Sequence, residues 1–326
     1  MLDKKVVQTV TGPVPIDELG RCLMHEHLIW GAPGWWGDPK AYDRETVINK
    51  VIAEIETLKP YGVKTIVNAS PGDCGRFEDM LREISERTGI NIICVAGYYM
   101  QEFGCTGYFS FRMKYGNAPQ EAYEMLLHEV TEGIGDSGIR CGLLKIATGK
   151  DEITPYENLF LEAVARVCME TGVKIITHTQ DGTMAAEQAK RLICLGVRPQ
   201  DIMIGHLNEI MNIGELISVF EQGVYGGFDR CGLQTYLNCP PEEWQMVAIG
   251  AMALAGYSDR IILSHDLSCV RMGRDYIWPQ DIAEALKDWN YRHIFTYVLP
   301  ELKKRGLPSD VVESFVEANP HRFLAG

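Results

Sequence analysis

His25 and His27 stand one residue apart in the stretch Met24-His25-Glu26-His27-Leu28. They fall near the end of a strongly β-like run, residues 22–30. In an extended strand, residues i and i+2 share a face. Two imidazoles then aim at one point, with Glu26 on the other side. Such a pair is a rigid two-nitrogen bite for a metal, and imidazole suits zinc, iron, copper or nickel. The same spacing also arises by chance in packed or solvated histidines, so the metal reading depends on further ligands elsewhere in the chain.

Further candidates occupy corresponding places in other apolar runs. Lys145 lies within residues 141–148, His178 near the end of 174–179, His206 near the end of 201–207, and Asp266 at the end of 260–266, preceded by His265. A buried lysine must pair, lose its proton or be modified. Carboxylation by carbon dioxide would turn it into an anionic carbamate able to bridge two cations. Taken singly, each residue also has a plain structural reading. Lys145 could reach the surface, His178 and His206 could bond backbone carbonyls, and Asp266 could cap the next element. Strand alternation turns His265 away from the others.

The elements that must position these groups alternate along the chain. Residues 22–30, 64–70, 91–99, 141–148, 174–179, 201–207, 224–229 and 260–266 read as short apolar strands. Near-continuous apolar runs suit parallel strands covered on both faces. Helical periodicity falls between them, over residues 44–58, 77–87, 119–134, 155–170, 184–195, 213–222 and 242–255, and again over 291–304 and 309–317. Eight such units predict an α/β fold, a (β/α)8 TIM barrel, as one domain over residues 1–326. A short N-terminal β-hairpin is expected from residues 6–10 and 14–16, turning at Gly12-Pro13. An open doubly wound sheet is the alternative, but neither G-x-G-x-x-G after the first strand nor a P-loop is present. A barrel gathers the C-terminal ends of its strands at one mouth, so His25, His27, Lys145, His178, His206 and Asp266 would converge there.

Composition narrows the partners. The 326 residues carry a formal charge of −13, with 46% hydrophobic and 23% charged residues. Nucleic-acid binding needs clustered Lys and Arg, so no nucleic-acid partner is expected. No apolar span is long enough for a membrane helix, and residues 1–5 do not open a secretory signal. Ten scattered cysteines with no C-x-x-C pair read as reduced thiols, small and mostly buried, in a cytoplasmic protein.

These residues together resemble the phosphotriesterase-like lactonases of the amidohydrolase superfamily. The likeness runs through Gly12-Pro13, residues 24–28, 134–147, 176–179, 204–206 and 263–266, and closes at Asn319-Pro320 and Arg322-Phe323. It covers nearly the whole chain. The resemblance implies a binuclear metal centre. His25, His27 and Asp266 would hold the buried ion, and His178 and His206 the more exposed one. Carboxylated Lys145 would bridge both, together with a hydroxide. Two cations lower the pKa of a bridging water, and Asp266 would accept the proton and pass it to the leaving alkoxide. Zinc, cobalt, iron and manganese all suit this nitrogen and oxygen set. A homodimer is implied as well.

Within that resemblance the substrate reads as a lactone: acyl-homoserine, simple, or a phosphorylated sugar lactone. Tyr99 falls where the family's lactonases look to carry a tyrosine beside the metals, and residues 227–233 look like the lactonase form of the loop, with Asp229 and Arg230 lining the pocket. One of Tyr98 and Tyr99 is expected to be core packing. Arg230 could instead pair with Asp229 or a neighbour. An organophosphate triesterase is the alternative, with promiscuous activity between the two. A non-catalytic binding protein and a deaminase or amidase are further readings. Residues 267–288 are expected as a loop over the mouth, where Arg271 and Arg274 could meet an anionic substrate. Trp35 and Trp36 could wall an acyl chain or pack at the rim. Residues 100–117 read as a long loop.

Overall fold

The computed structural model describes residues 5–39, 42–104, 106–274 and 276–326. The thiol reading of Cys105 lies outside these residues. The other nine cysteines are unpaired thiols.

The chain opens with a hairpin of β1 (Val6–Thr9) and β2 (Gly12–Pro15), antiparallel, with Thr9 opposite Gly12. The turn therefore sits at Val10-Thr11, two residues earlier than expected. Gly12 and Pro13 belong to the second strand, where Pro13 has no N–H to contribute to a ladder.

A parallel sheet follows. Its strands are β3 (Arg21–Trp30), β4 (Val63–Asn68), β5 (Asn91–Gly97), β6 (Leu143–Thr148), β7 (Lys174–Thr179), β8 (Ile202–Ile204), β9 (Tyr225–Phe228) and β10 (Ile261–Leu263). They lie side by side in chain order. The sheet curls into the (β/α)8 barrel, matching the sequence reading. The outer helices are α1 (Arg44–Glu56), α2 (Glu78–Thr88), α3 (Thr106–Tyr115), α4 (Ala118–Thr131), α5 (Pro155–Thr171), α6 (Ala185–Cys194), α7 (Ile213–Phe220) and α8 (Glu242–Met252). Local chemistry starts and stops them. Asp43 accepts the Thr46 amide at the start of α1, Thr154 and Glu157 form a reciprocal capping box on α5, and Gly89 ends α2 in the left-handed region. The helix α3 is a departure from the sequence reading, which had residues 100–117 as loop. Its aromatic residues follow no clear 3.6 period, and Phe109 alone is buried, among Tyr98, Tyr156 and Phe160.

Two apolar layers hold the barrel. The outer one packs strands against helices. The inner one fills the barrel's lower half with Cys22, Met24, Val67, Val95, Leu143, Ile176, Met203, Tyr225 and Ile262, closed below by Leu19 and Phe323. Above that plug the inward positions turn polar. Two residues after Leu143 comes Lys145, and two after Ile176 comes His178. This is the period-2 rule of a strand.

The eighth strand departs from the expected single run 260–266. Asp266 has φ 54°, in the left-handed region, so the strand breaks there. Residues before it pair with β9, and residues after it form β11 (Ser268–Arg271), which pairs parallel with β3. Part of the loop expected over residues 267–288 is thus sheet. The seam between first and last strands is closed by the Asp266 amide donating to the His25 carbonyl at 3.0 Å and the His25 amide donating to Ser264 Oγ at 2.9 Å. Among the described residues no helix is long and apolar enough to cross a membrane.

Candidate metal centre and pocket

Strand β3 carries one extra residue against its neighbour. Leu23 pairs with Ile66 and Glu26 with Asn68, three steps against two. Leu23 packs in the outer layer and Met24 in the inner one. The bulge then lets His25 face inward as well, so Glu26 turns toward the seam and His27 returns to the mouth. A bulge beside a site re-aims side chains in this way.

Each of the four candidate histidines is gripped from behind by one ring nitrogen. His25 Nδ1 lies 2.7 Å from Asp229 Oδ2, and His206 Nδ1 lies 2.8 Å from Asp229 Oδ1. His27 Nδ1 lies 2.7 Å from Ser70 Oγ, and His178 Nε2 lies 2.9 Å from Gln180 Oε1. Carboxylate and amide oxygens only accept, so these contacts put the proton on the rear nitrogen of His25, His206 and His178 and a lone pair on the front.

The front nitrogens crowd together. His206 Nε2 is 2.7 Å from His178 Nδ1, and His25 Nε2 is 2.7 Å from Lys145 Nζ. His27 Nε2 is 3.0 Å from Asp266 Oδ1. His25, His27 and Asp266 each offer a ligand atom within 4.8 Å of the others. Two imidazole lone pairs facing each other at hydrogen-bond distance repel unless a cation or proton lies between them. Burial pulls the pKa of His25, His178 and His206 well below the ordinary histidine value, with Lys145 or Arg230 adding to it. A proton is therefore a poor occupant, and the donor set fits divalent cations, with rear acceptors of the kind that orient metal-bound histidines.

Asp229 meets the same proximity test with His25 and His206. Its oxygens are already taken by both Nδ1 atoms and by the His206 amide at 2.7 Å. It anchors ligands rather than lining the pocket, which corrects the sequence reading. It fits there because Gly205 and Gly227 carry no side chain: a Cβ on either would stand 2.9 Å from Asp229 Oδ2.

Lys145 is buried, and burial lowers its pKa to about 8. Burial pushes the Asp266 carboxyl up, but His206, Arg230, the His27 hydrogen bond and His25 outweigh this and hold it well below the carboxylate range. Arg230 Nε donates to Asp266 Oδ2 at 2.9 Å, and the same guanidinium pairs with Glu209. Its partner is thus a neighbour rather than Asp229. Tyr99 sits edge-on to His178, ring centroids 5.0 Å apart, and burial pushes its phenol well up. Tyr98 instead packs on Phe109 and Phe160, so the two tyrosines divide between site and core.

His27, Lys145, His178, Arg230, Asp266 and Tyr99 all line one cavity of ≈ 280 Å³. Its outer wall is aromatic: Trp30, Tyr236, Tyr276, Trp278 and Trp289, with Arg271 among them. Trp35 and Trp36 are not part of that wall. Trp35 packs on Phe77, and Trp36 is exposed. Arg274 pairs with Asp38 at the surface. Trp30, Tyr236 and Trp289 lie outside the sequence reading, because an aromatic residue at a strand end or in a loop carries no local mark of facing a pocket. His265 is turned away and buried, its Nδ1 2.8 Å from Glu26 Oε1.

A model of the phosphotriesterase family matches residues 5–324. The structure is similar to the organophosphorus hydrolase of Deinococcus radiodurans, with TM-score 0.97 and 41% identity over 99% of this chain and 98% of that one. The sequence is 28% identical to the aryldialkylphosphatase of Saccharolobus solfataricus, over 94% of this chain and 96% of that protein. It is also 28% identical to the phospho-furanose lactonase of Mycoplasmopsis synoviae, over 99% of this chain and 93% of that protein.

Proposed function

Because the chain belongs to the phosphotriesterase family of hydrolases, we propose that it is a metal-dependent lactonase, with His25, His27, His178, His206, Asp266 and carboxylated Lys145 holding two divalent cations. Zinc suits the set, as do cobalt, iron and manganese. When bound, such ions acidify water and polarise the ester oxygen.

This chain's own residues do the rest. Asp266, a carboxylate at neutral pH, takes the proton of the attacking water. It returns that proton to the ring oxygen as the acyl carbon–oxygen bond breaks, so lactone and water become one hydroxy acid. Arg230 holds Asp266 by Oδ2 and leaves Oδ1 toward His27. Tyr99 keeps its proton and stands beside His178, a neutral donor for the substrate's oxygen.

The observation that carries the lactone reading is the placement of Tyr99, edge-on to His178, in the cavity that Asp266 also lines, which puts two proton-handling groups at the substrate. A lactone's leaving alkoxide is strongly basic and needs a proton, whereas an aryl phosphotriester's phenoxide leaves without one. The 41% identity to an organophosphorus hydrolase supports phosphotriester hydrolysis as a second, promiscuous activity. The test is a panel of acyl-homoserine, γ- and δ-lactones with paraoxon, against protein reconstituted with metal. A lactone kcat/KM at least 100-fold above paraoxon is expected, and the reverse ratio overturns the reading. A homodimer is also proposed, checked by light scattering.

A further inference from the structure

Arg271 lies on β11, paired in register with Trp30, and lines the cavity that holds Asp266 and Lys145. Its guanidinium carbon is 5.5 Å from the ring centroid of Tyr276 and 5.8 Å from those of Trp278 and Trp289. Among the described residues its guanidinium makes no hydrogen bond and no ion pair. The molecule's other enclosed arginines differ. Arg230 pairs with Asp266 and Glu209, and Arg76 with Glu129 and the Val95 carbonyl. A half-buried cation without a counter-ion is costly, and burial lowers the Arg271 pKa accordingly. Aromatic faces recover part of that cost, but they occupy none of the five N–H donors in the guanidinium plane, which open to the cavity. Those donors form a fork suited to phosphate or carboxylate oxygens.

We propose that Arg271 is an anion subsite, and that the lactones this pocket selects carry a phosphate or carboxylate remote from the ester. The proposal rests on the lactone reading of the same pocket and deepens it. The aromatic box fixes the guanidinium, so a substrate anion meets a preorganised fork rather than a flexible chain. Anchoring that end would hold the ring ester toward Asp266 and Tyr99. The competing role for Arg271 is purely structural, a cation–π clamp that keeps residues 268–289 in place.

The test uses hydroxy acids, the products of lactone opening, because binding does not require turnover. Three ligands share one carboxylate for the metal end: a six-carbon aldonate, the same aldonate with a terminal phosphate, and the aldarate with a terminal carboxylate. Each is titrated calorimetrically into metal-reconstituted wild type, Arg271→Gln and Arg271→Lys. The wild type is expected to bind a doubly anionic ligand at least tenfold tighter than the aldonate. The preference should fall within twofold in Arg271→Gln and survive in part in Arg271→Lys. Whether phosphate or carboxylate leads identifies the substituent. Equal affinities in the wild type would overturn the proposal, as would a preference that persists in Arg271→Gln. Equal weakening of all three ligands with a lowered Tm would assign Arg271 to the clamp. Turnover of a neutral γ-lactone by the same preparations reports separately on the lactonase reading, which can fail while the anion preference stands.

Discussion

His25 Nδ1 lies 2.7 Å from Asp229 Oδ2, and neither side chain is exposed to solvent. The other oxygen of Asp229 holds His206 in the same way. One carboxylate therefore orients a candidate ligand of each of the two proposed metals. Asp229→Asn keeps the shape but sets an NH2 group against an N–H donor. Metal affinity should fall about 10- to 100-fold, read by competition with a chromophoric chelator. Unchanged affinity would show that the two contacts do not prepare the histidines.

Lys145 burdens the metal-free protein. Its folded pKa of about 8 lies below the ordinary lysine value of 10.5, so the unfolded chain binds more protons between those values. Stability then rises with pH through that window and is lowest below it. The difference is about 3 kcal/mol at neutral pH. Lys145→Met should raise the Tm of chelator-treated protein at pH 7, with less gain at pH 10, while abolishing activity. Only the neutral amine reacts, and with dissolved carbon dioxide rather than bicarbonate itself, so bicarbonate should speed metal incorporation, and at a fixed carbon dioxide concentration increasingly from pH 7 to 9. Reconstitution indifferent to bicarbonate would remove the carbamate from the proposal.

Arg230 spans Asp266 and Glu209. Arg230→Met would free Asp266 to rotate and leave Glu209 buried without its ion. We expect kcat to drop about 100-fold with bound metal retained, since misplacing a proton-transfer group costs on this order. Lysine should not rescue it, because one ammonium does not reproduce the fork. Loss of metal in step with activity would instead make Arg230 part of the scaffold.

Glu26 closes the barrel. One oxygen accepts from Ser264 Oγ, the His265 amide and His265 Nδ1 at 2.8–2.9 Å, and the other accepts from the Leu267 amide at 3.1 Å. Glu26→Gln turns one acceptor into a donor facing a donor. It should cost about 1.5–3 kcal/mol, seen as a lower midpoint in urea. Hydrogen exchange should quicken first at residues 264–268. A uniform increase across the barrel would contradict a local clasp.

The alternation of strands and helices was legible in the chain, because apolar period is a property of consecutive residues. So were His25, His27, Lys145, His178, His206 and Asp266 as one set, since a barrel brings strand ends to a common mouth. Register and closure were not legible. The extra residue in β3, the left-handed break at Asp266 that splits the last strand, and the placement of Asp229 behind two histidines depend on neighbours far along the sequence. So does the outer wall, where Arg271 meets Trp30 only because β11 pairs with β3. Local pattern determined which groups could do chemistry. The closed sheet decided which of them face the cavity, which stand behind it, and what the cavity's far wall presents.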